Sequence, residues 1–173
     1  MATLTIVKFG DPILRKVVAP VAQVTPELVA LTDDMLDTMH SARGVGLAAN
    51  QVGLDLCIAV IQYRETVLRM FNPRILERAG ESVIYGEGCL SVPGVDGDVK
   101  RFAEVRAAWT DEEGKAHERH LTGHLARIVQ HEVDHLNGIV IVNHLSTAAR
   151  TLHRKTLDRL KVDALAAAKK GSR

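Results

Sequence analysis

Behind Thr25-Pro26-Glu27, the apolar residues Leu28, Leu31, Met35 and Met39 recur at three- and four-residue intervals. A capping threonine, a first-turn proline and an early acidic residue mark a helix start, so the spacing predicts a first helix running to about His40. Gly44 and Gly46 end it. From Val45 to Leu121 the pattern changes to short β-like runs broken by turn residues. Residues 56–62 and 66–71 are predicted strands and 82–85 a shorter one, while Val105, Ala107 and Trp109 alternate as on a half-buried strand. Asp111-Glu112-Glu113-Gly114 forms a turn signal into a further strand over 115–121. A second helix is predicted from Thr122 to Leu136, with Leu125, Ile128, Val129 and Leu136 as its apolar face and Gly138 as its stop. A third spans 147–169. This succession predicts an α+β fold: a mainly antiparallel sheet packed around the second helix, with an N-terminal and a C-terminal helix. No repeat, low-complexity tract or linker divides the chain, so residues 1–173 are expected to form one unit.

Composition narrows the classes. Hydrophobic residues make up 46% and charged residues 25% of the 173, as in ordinary folded proteins. A net charge of +1 gives no whole-molecule attraction to nucleic acid or membranes, and 3% aromatics leave little for a base-stacking surface. No apolar run approaches the roughly 18 residues that span a bilayer, and the first ten residues lack the pattern of a leader, so the cytoplasm is the expected compartment. The two cysteines differ in context. Cys57 lies in an apolar run, whereas Cys89 sits in the glycine-flanked segment Gly86-Glu87-Gly88-Cys89-Leu90-Ser91, and nothing marks a disulfide scaffold.

Candidate chemistry concentrates in Gln130-His131-Glu132-Val133-Asp134-His135, an H-E-x-x-H sequence on the second predicted helix. Histidines four apart project from one helix face and can grip one ion, with Glu132 near enough to reach a coordinated water. By itself the motif arises by chance in many helices. Two familiar routes to a third ligand fail here: Ile141 stands where H-E-x-x-H-x-x-G-x-x-H needs a histidine, and no glutamate follows Glu132. His144 falls three residues late and reads as a polar loop residue. Of the side chains left, Cys89 is the strong candidate.

Gly44-Val45-Gly46-Leu47-Ala48-Ala49-Asn50-Gln51, Glu87-Gly88-Cys89-Leu90-Ser91 and the segment from Gln130 to Gly138 together resemble the three signature motifs of the peptide deformylases, in that family's order. Weaker similarity, including Asp11-Pro12-Ile13-Leu14-Arg15 and Phe71-Asn72-Pro73, extends from about Phe9 to Leu145. The resemblance implies a hydrolase that removes the formyl group from N-formylmethionyl peptides on nascent chains. Cys89, His131 and His135 would bind one divalent ion, Fe(II) in the cell, with Zn(II) or another divalent ion as alternatives. Glu132 would shuttle the proton, while the Gln51 amide and the Leu90 backbone N–H stabilise the oxyanion. Gly44, Val45, Gly46, Gly88 and His124 would contact substrate. Taken singly, each has a plainer reading: Gln51 as a loop hydrogen bond, Cys89 as a structural thiol, the glycines as turn formers.

Some positions depart from the family pattern. His124 stands where an apolar or aromatic residue is usual, Asn143 where an Asp is common, and Asp96 where a larger residue often flanks the substrate groove. Asn50 occupies a variable place. The segment from residue 147 carries eight Lys and Arg against Asp158 and Asp163, a local +6. It is either a solvated helix docked by its leucines or a contact for ribosomal RNA. Two other functions remain open: a zinc peptidase cutting internal bonds, and a metal-free protein that binds nascent chains.

Overall fold

The computed structural model describes residues 3–171, and for Val83 and residues 168–171 the backbone alone. Arg173, counted above in the basic segment, lies outside the described residues.

Five strands form one antiparallel sheet in chain order: β1 (Gly46–Ala48), β2 (Ile58–Tyr63), β3 (Thr66–Gly88), β4 (Asp96–Thr110) and β5 (Ala116–Thr122). The helices are α1 (Pro26–Ser41), α2 (Gly123–Leu136), α3 (Ile141–His144), α4 (Thr147–Leu152) and α5 (Arg154–Gly171). The α+β expectation holds, with α2 against the sheet. Ala126, Val129 and Val133 of α2 bury themselves against Ile61, Met70, Val105, Ala107 and Trp109. Side-chain amides add a polar pin: Gln130 Oε1 accepts from Phe102 N at 3.1 Å and its Nε2 donates to Phe102 O at 2.9 Å.

The elements differ from the sequence pattern at several places. The runs at 66–71 and 82–85 belong to a single 23-residue strand, β3. The interruptions that looked like breaks are absorbed as register shifts between Phe71 and Arg74, Ile75 and Glu77, and Ala79 and Ser82. At the first of these Asn72 has φ 52°, and its amide exchanges two hydrogen bonds of 2.8 Å with the Val21 backbone, which holds the irregular residue in place. The predicted third helix is in fact two. The break falls at His153, between α4 and α5; α5 buries Leu157, Leu160 and Ala164, while Leu152 at the end of α4 stays in solvent. His144, expected as a polar loop residue, instead ends the short α3.

α1 begins as the sequence predicts, with the Thr25 side chain accepting from Leu28 N. It packs Met35, Leu36 and Met39 against Leu47, Ile58, Val60 and Phe71. α2 ends where Gly138 takes φ +73°; a Cβ there would lie 2.5 Å from Arg15 O, so the stop requires glycine.

Candidate metal centre

Three segments meet at one point. His131 and His135 project from α2 toward the end of β3, where the strand leaves the ladder at Gly88 and Cys89 begins a tight turn closed by Val92 N donating to Cys89 O at 2.9 Å. The Nε2 atoms of the two imidazoles lie 3.2 Å apart, and Cys89 Sγ is 3.1 Å from His135 Nε2. All three ligand atoms fall within 4.8 Å of one another. Tetrahedral zinc or iron with ordinary Cys and His bond lengths separates such donors by ~3.3–3.6 Å. The donor set thus fits a single divalent ion held by one sulfur and two nitrogens.

Electrostatics favour that reading. Burial, aided by the charges of His131 and Arg101, pulls His135 well below its ordinary pKa, leaving it the neutral imidazole that ligation needs. Burial opposes charging of His131 as well, but hydrogen bonds to Cys89 and Glu87 outweigh it and raise its pKa. An ion held by His131 would take the place of a ring proton. Glu132 is 3% exposed, and its Oε2 is buried without a protein hydrogen-bond partner. Burial lifts its carboxyl to about 7, so it can take or give a proton near neutral pH.

Behind the ligands lies a buried charge cluster with no counterpart in the sequence expectations. His131 Nδ1 is 3.0 Å from Glu87 Oε2. The carboxylate receives both Arg101 Nε and Nη2 at 3.0 Å and sits 3.1 Å from Arg127 Nε. Arg101 also pairs with Asp134, whose Oδ2 is 2.8 Å from His144 Nε2. Two carboxylates thus balance two guanidinium groups. Burial works against ionisation of Glu87, but the His131 and Arg101 hydrogen bonds and charges hold it at about 2. Glu87 was legible in principle: two residues before a candidate Cys on an extended strand, it faces the same side, and metal-bound histidines commonly donate their other N–H to a carboxylate. His144, taken for a loop residue, joins this cluster through Asp134. Asn50, whose place in its motif is variable, is fully buried and donates from Nδ2 to the His135 carbonyl.

Gln51 stands on the opposite side. Its Oε1 accepts from Ala48 N at 2.9 Å, which points Nε2 at Ser91 Oγ (3.2 Å) and Cys89 Sγ (3.6 Å). A cavity of about 490 Å³ opens beside the cluster. Gly44, Val45, Gly46, Gln51, Gly88, Cys89, Leu90, His124, His131 and Glu132 all line it, as does Asp96, while His135 lies behind. Every residue given a metal, catalytic or substrate-contact expectation from the sequence is therefore at this cavity or its floor, whereas Asn143 lines a separate cavity with Phe9 and Arg150. His124 is exposed at the rim, its ring 4.9 Å from that of Tyr63. Cys57 plays no part here: it packs beside Val18, Ala48, Ala59 and Leu136, and both cysteines are free.

An H-E-x-x-H helix laid on an antiparallel sheet, with a strand-end cysteine beside its two histidines, is the arrangement of a metal-dependent hydrolase. The Polypeptide deformylase family model matches residues 3–151. A curated peptide deformylase of Alkalilimnicola ehrlichii is 44% identical over 164 residues, spanning 92% of each chain. A crystal structure of a peptide deformylase from Legionella pneumophila superposes with TM-score 0.86 at 39% identity, covering 92% of this chain and 96% of that one. The Met-Ala-Ser-bound class I type b peptide deformylase from Acinetobacter baumannii does so with TM-score 0.80 at 37% identity, over 83% and 99%. The chain belongs to the polypeptide deformylase family, metal-dependent hydrolases that remove the N-formyl group from nascent polypeptides. Among the described residues no helix is long and apolar enough to cross a membrane.

Proposed function

We propose that residues 1–173 act as one catalytic unit in the cytoplasm on N-formylmethionyl peptides, with Cys89, His131 and His135 holding the ion. The convergence of one sulfur and two imidazole nitrogens within 4.8 Å carries this reading. A thiolate with two imidazoles suits Fe(II) or Zn(II), and we take Fe(II) as the ion used in the cell. Such an ion polarises the formyl carbonyl and lowers the pKa of water at the site.

The chain's own groups divide the remaining work. Glu132 takes the proton from the attacking water and delivers it to the departing amine, so formate and a free amino terminus are released. Negative charge developing on the formyl oxygen meets Gln51 Nε2 and the Leu90 N–H. Gly44, Gly46 and Gly88 carry no side chain at the cavity and let an extended peptide approach the backbone, with Val45 beside them and His124 at the rim near its first side chain. Anaerobic metal analysis paired with formate release tests the reading. It expects one ion per chain and hydrolysis of formyl-Met peptides. Cleavage of blocked peptides lacking a formyl group would point to a peptidase instead, and a metal-free protein without turnover to a binding protein.

The basic outer face of α4 and α5 supports contact with ribosomal RNA, since Leu157 and Leu160 dock the helix and leave Arg154, Lys155 and Arg159 exposed. Reversing the charge of those three residues keeps the docked leucines. It should abolish salt-sensitive co-sedimentation with ribosomes; unchanged binding would end the idea.

A further inference from the structure

The N-terminal extended segment, residues 7–9, ties together the two parts of the site that face the developing oxyanion. Val7 N donates to Gln51 O at 2.8 Å, and Phe9 N donates to Ser91 O at 2.8 Å. Between them Lys8 turns its side chain inward, and Nζ donates to Leu90 O at 2.9 Å. With Val92 N on Cys89 O, three successive carbonyls of the turn 89–91 have donors of their own. Two of the three ties across from residues 7–9 are backbone to backbone and survive substitution. The third depends on the identity of one side chain.

A lysine ordinarily keeps its ammonium in water, because ordering and desolvating it are costly. Here the group is half-buried; burial draws its pKa below the ordinary lysine value, and the charge of Cys89 draws it back. An ammonium bonded to a carbonyl is about twice as strong as a neutral hydrogen bond. We propose that Lys8 is a positioning residue for the deformylation: by holding the Leu90 carbonyl it fixes the turn that carries the Cys89 sulfur and the Leu90 N–H. Lys8 touches neither substrate nor ion, and acts through Leu90. The assignment of Cys89 and Leu90 to the reaction is that of the preceding section, on which this inference rests.

The test compares Lys8→Met, which keeps the stem and loses the charge and donors, with Lys8→Arg, which keeps both. Each is assayed as holoenzyme for kcat and KM on a formyl-Met peptide. Each is also measured as the cobalt-substituted protein for its thiolate-to-cobalt charge-transfer band, with a thermal midpoint recorded alongside. Lys8→Met should lower kcat by about 10- to 100-fold while leaving KM unchanged, because the turn shifts relative to the bound formyl group. Its cobalt band should move, and Lys8→Arg should recover most of kcat and the parent band. Parent kcat and an unmoved band in Lys8→Met would overturn the inference. So would a loss that follows the unfolded fraction alone without recovery in Lys8→Arg. If the parent itself releases no formate, the proposed reaction fails separately, and the cobalt band still decides whether Lys8 positions Cys89.

Discussion

Gly46 lies in β1 opposite Ile61, and its φ is outside the left-handed region. Alanine therefore suits its backbone. Space does not. A Cβ at this position would stand 2.2 Å from Glu132 Oε1, 2.7 Å from Cδ and 3.0 Å from Cγ. β1 is held by its ladder to β2, and α2 by the buried Val129 and Val133, so the Glu132 carboxylate must yield. Moving Oε1 from 2.2 Å to the 3.4 Å of ordinary contact is a retreat of about 1.2 Å. A misplacement of about 1 Å costs on the order of 10²-fold in rate, or about 2.7 kcal/mol of transition-state stabilisation. Overpacking costs about 1–3 kcal/mol of stability, partly offset by about 0.5–1 kcal/mol from replacing glycine. Gly46→Ala should therefore remain folded and keep its metal while kcat for formate release falls about 100-fold. Steady-state formate release, metal content and a thermal melt on one preparation measure all three. Parent kcat with full metal occupancy would refute the argument, because the carboxylate would then not need the seat that glycine leaves open.

Other substitutions probe the cluster from different sides. Glu132→Gln should retain metal and lose about 10²- to 10⁴-fold in kcat; turnover at the parent rate would remove Glu132 as proton carrier. Its buried carboxyl titrates at about 7 instead of 4.5, so its ionisation destabilises the fold increasingly as pH rises through that interval. Metal-free Glu132→Gln should accordingly be more stable than metal-free parent at pH 8, by up to about 3 kcal/mol in urea unfolding. Cys89→Ala should release its ion to a chelator that leaves the parent loaded; full occupancy with normal activity would take Cys89 out of the site. Glu87→Gln removes one of the two carboxylates that balance Arg101 and Arg127, leaving Arg101 only its pair with Asp134, and should cost about 3–5 kcal/mol. The Glu87 carboxyl is depressed from 4.5 to about 2, so the stability it contributes is complete above pH 4.5 and disappears as pH falls toward 2. The gap between parent and Glu87→Gln should narrow by about 3 kcal/mol over that window; a gap independent of pH would contradict the assignment.

Much of the site was legible because its chemistry is local. Two histidines four apart on a helix face one way whatever surrounds them, and Thr25-Pro26-Glu27 starts a helix for reasons contained in those three residues. The cysteine entered as the candidate left once the other routes to a third ligand had failed, and the glutamine and the cavity-lining glycines through a family likeness spread over three motifs. The terminal basic helix was visible as charge and leucine spacing, but its break at His153 was not, since no glycine or proline marks it. Nor was the continuity of β3. Asn72, Pro73 and Gly80 each look like an end to a strand, and only the partner strand shows that the ladder resumes after a register shift.

The order of elements, the antiparallel sheet and the imidazole pair follow from hydrophobic period and residue spacing, which act over a few residues. What backs His131 and the cysteine turn is drawn from distant parts of the chain: Glu87 from β3 and Arg101 from β4 join Arg127 and Asp134 of α2 behind His131, and Lys8 ties the turn at residues 89–91. Alone, each of these charged side chains would be assigned to solvent, because a single ion is costly to bury. Packing brings opposite charges to the same place, where mutual hydrogen bonds offset their desolvation. In the same way Gly46 reads as a turn former until the Glu132 carboxylate is found where its side chain would be.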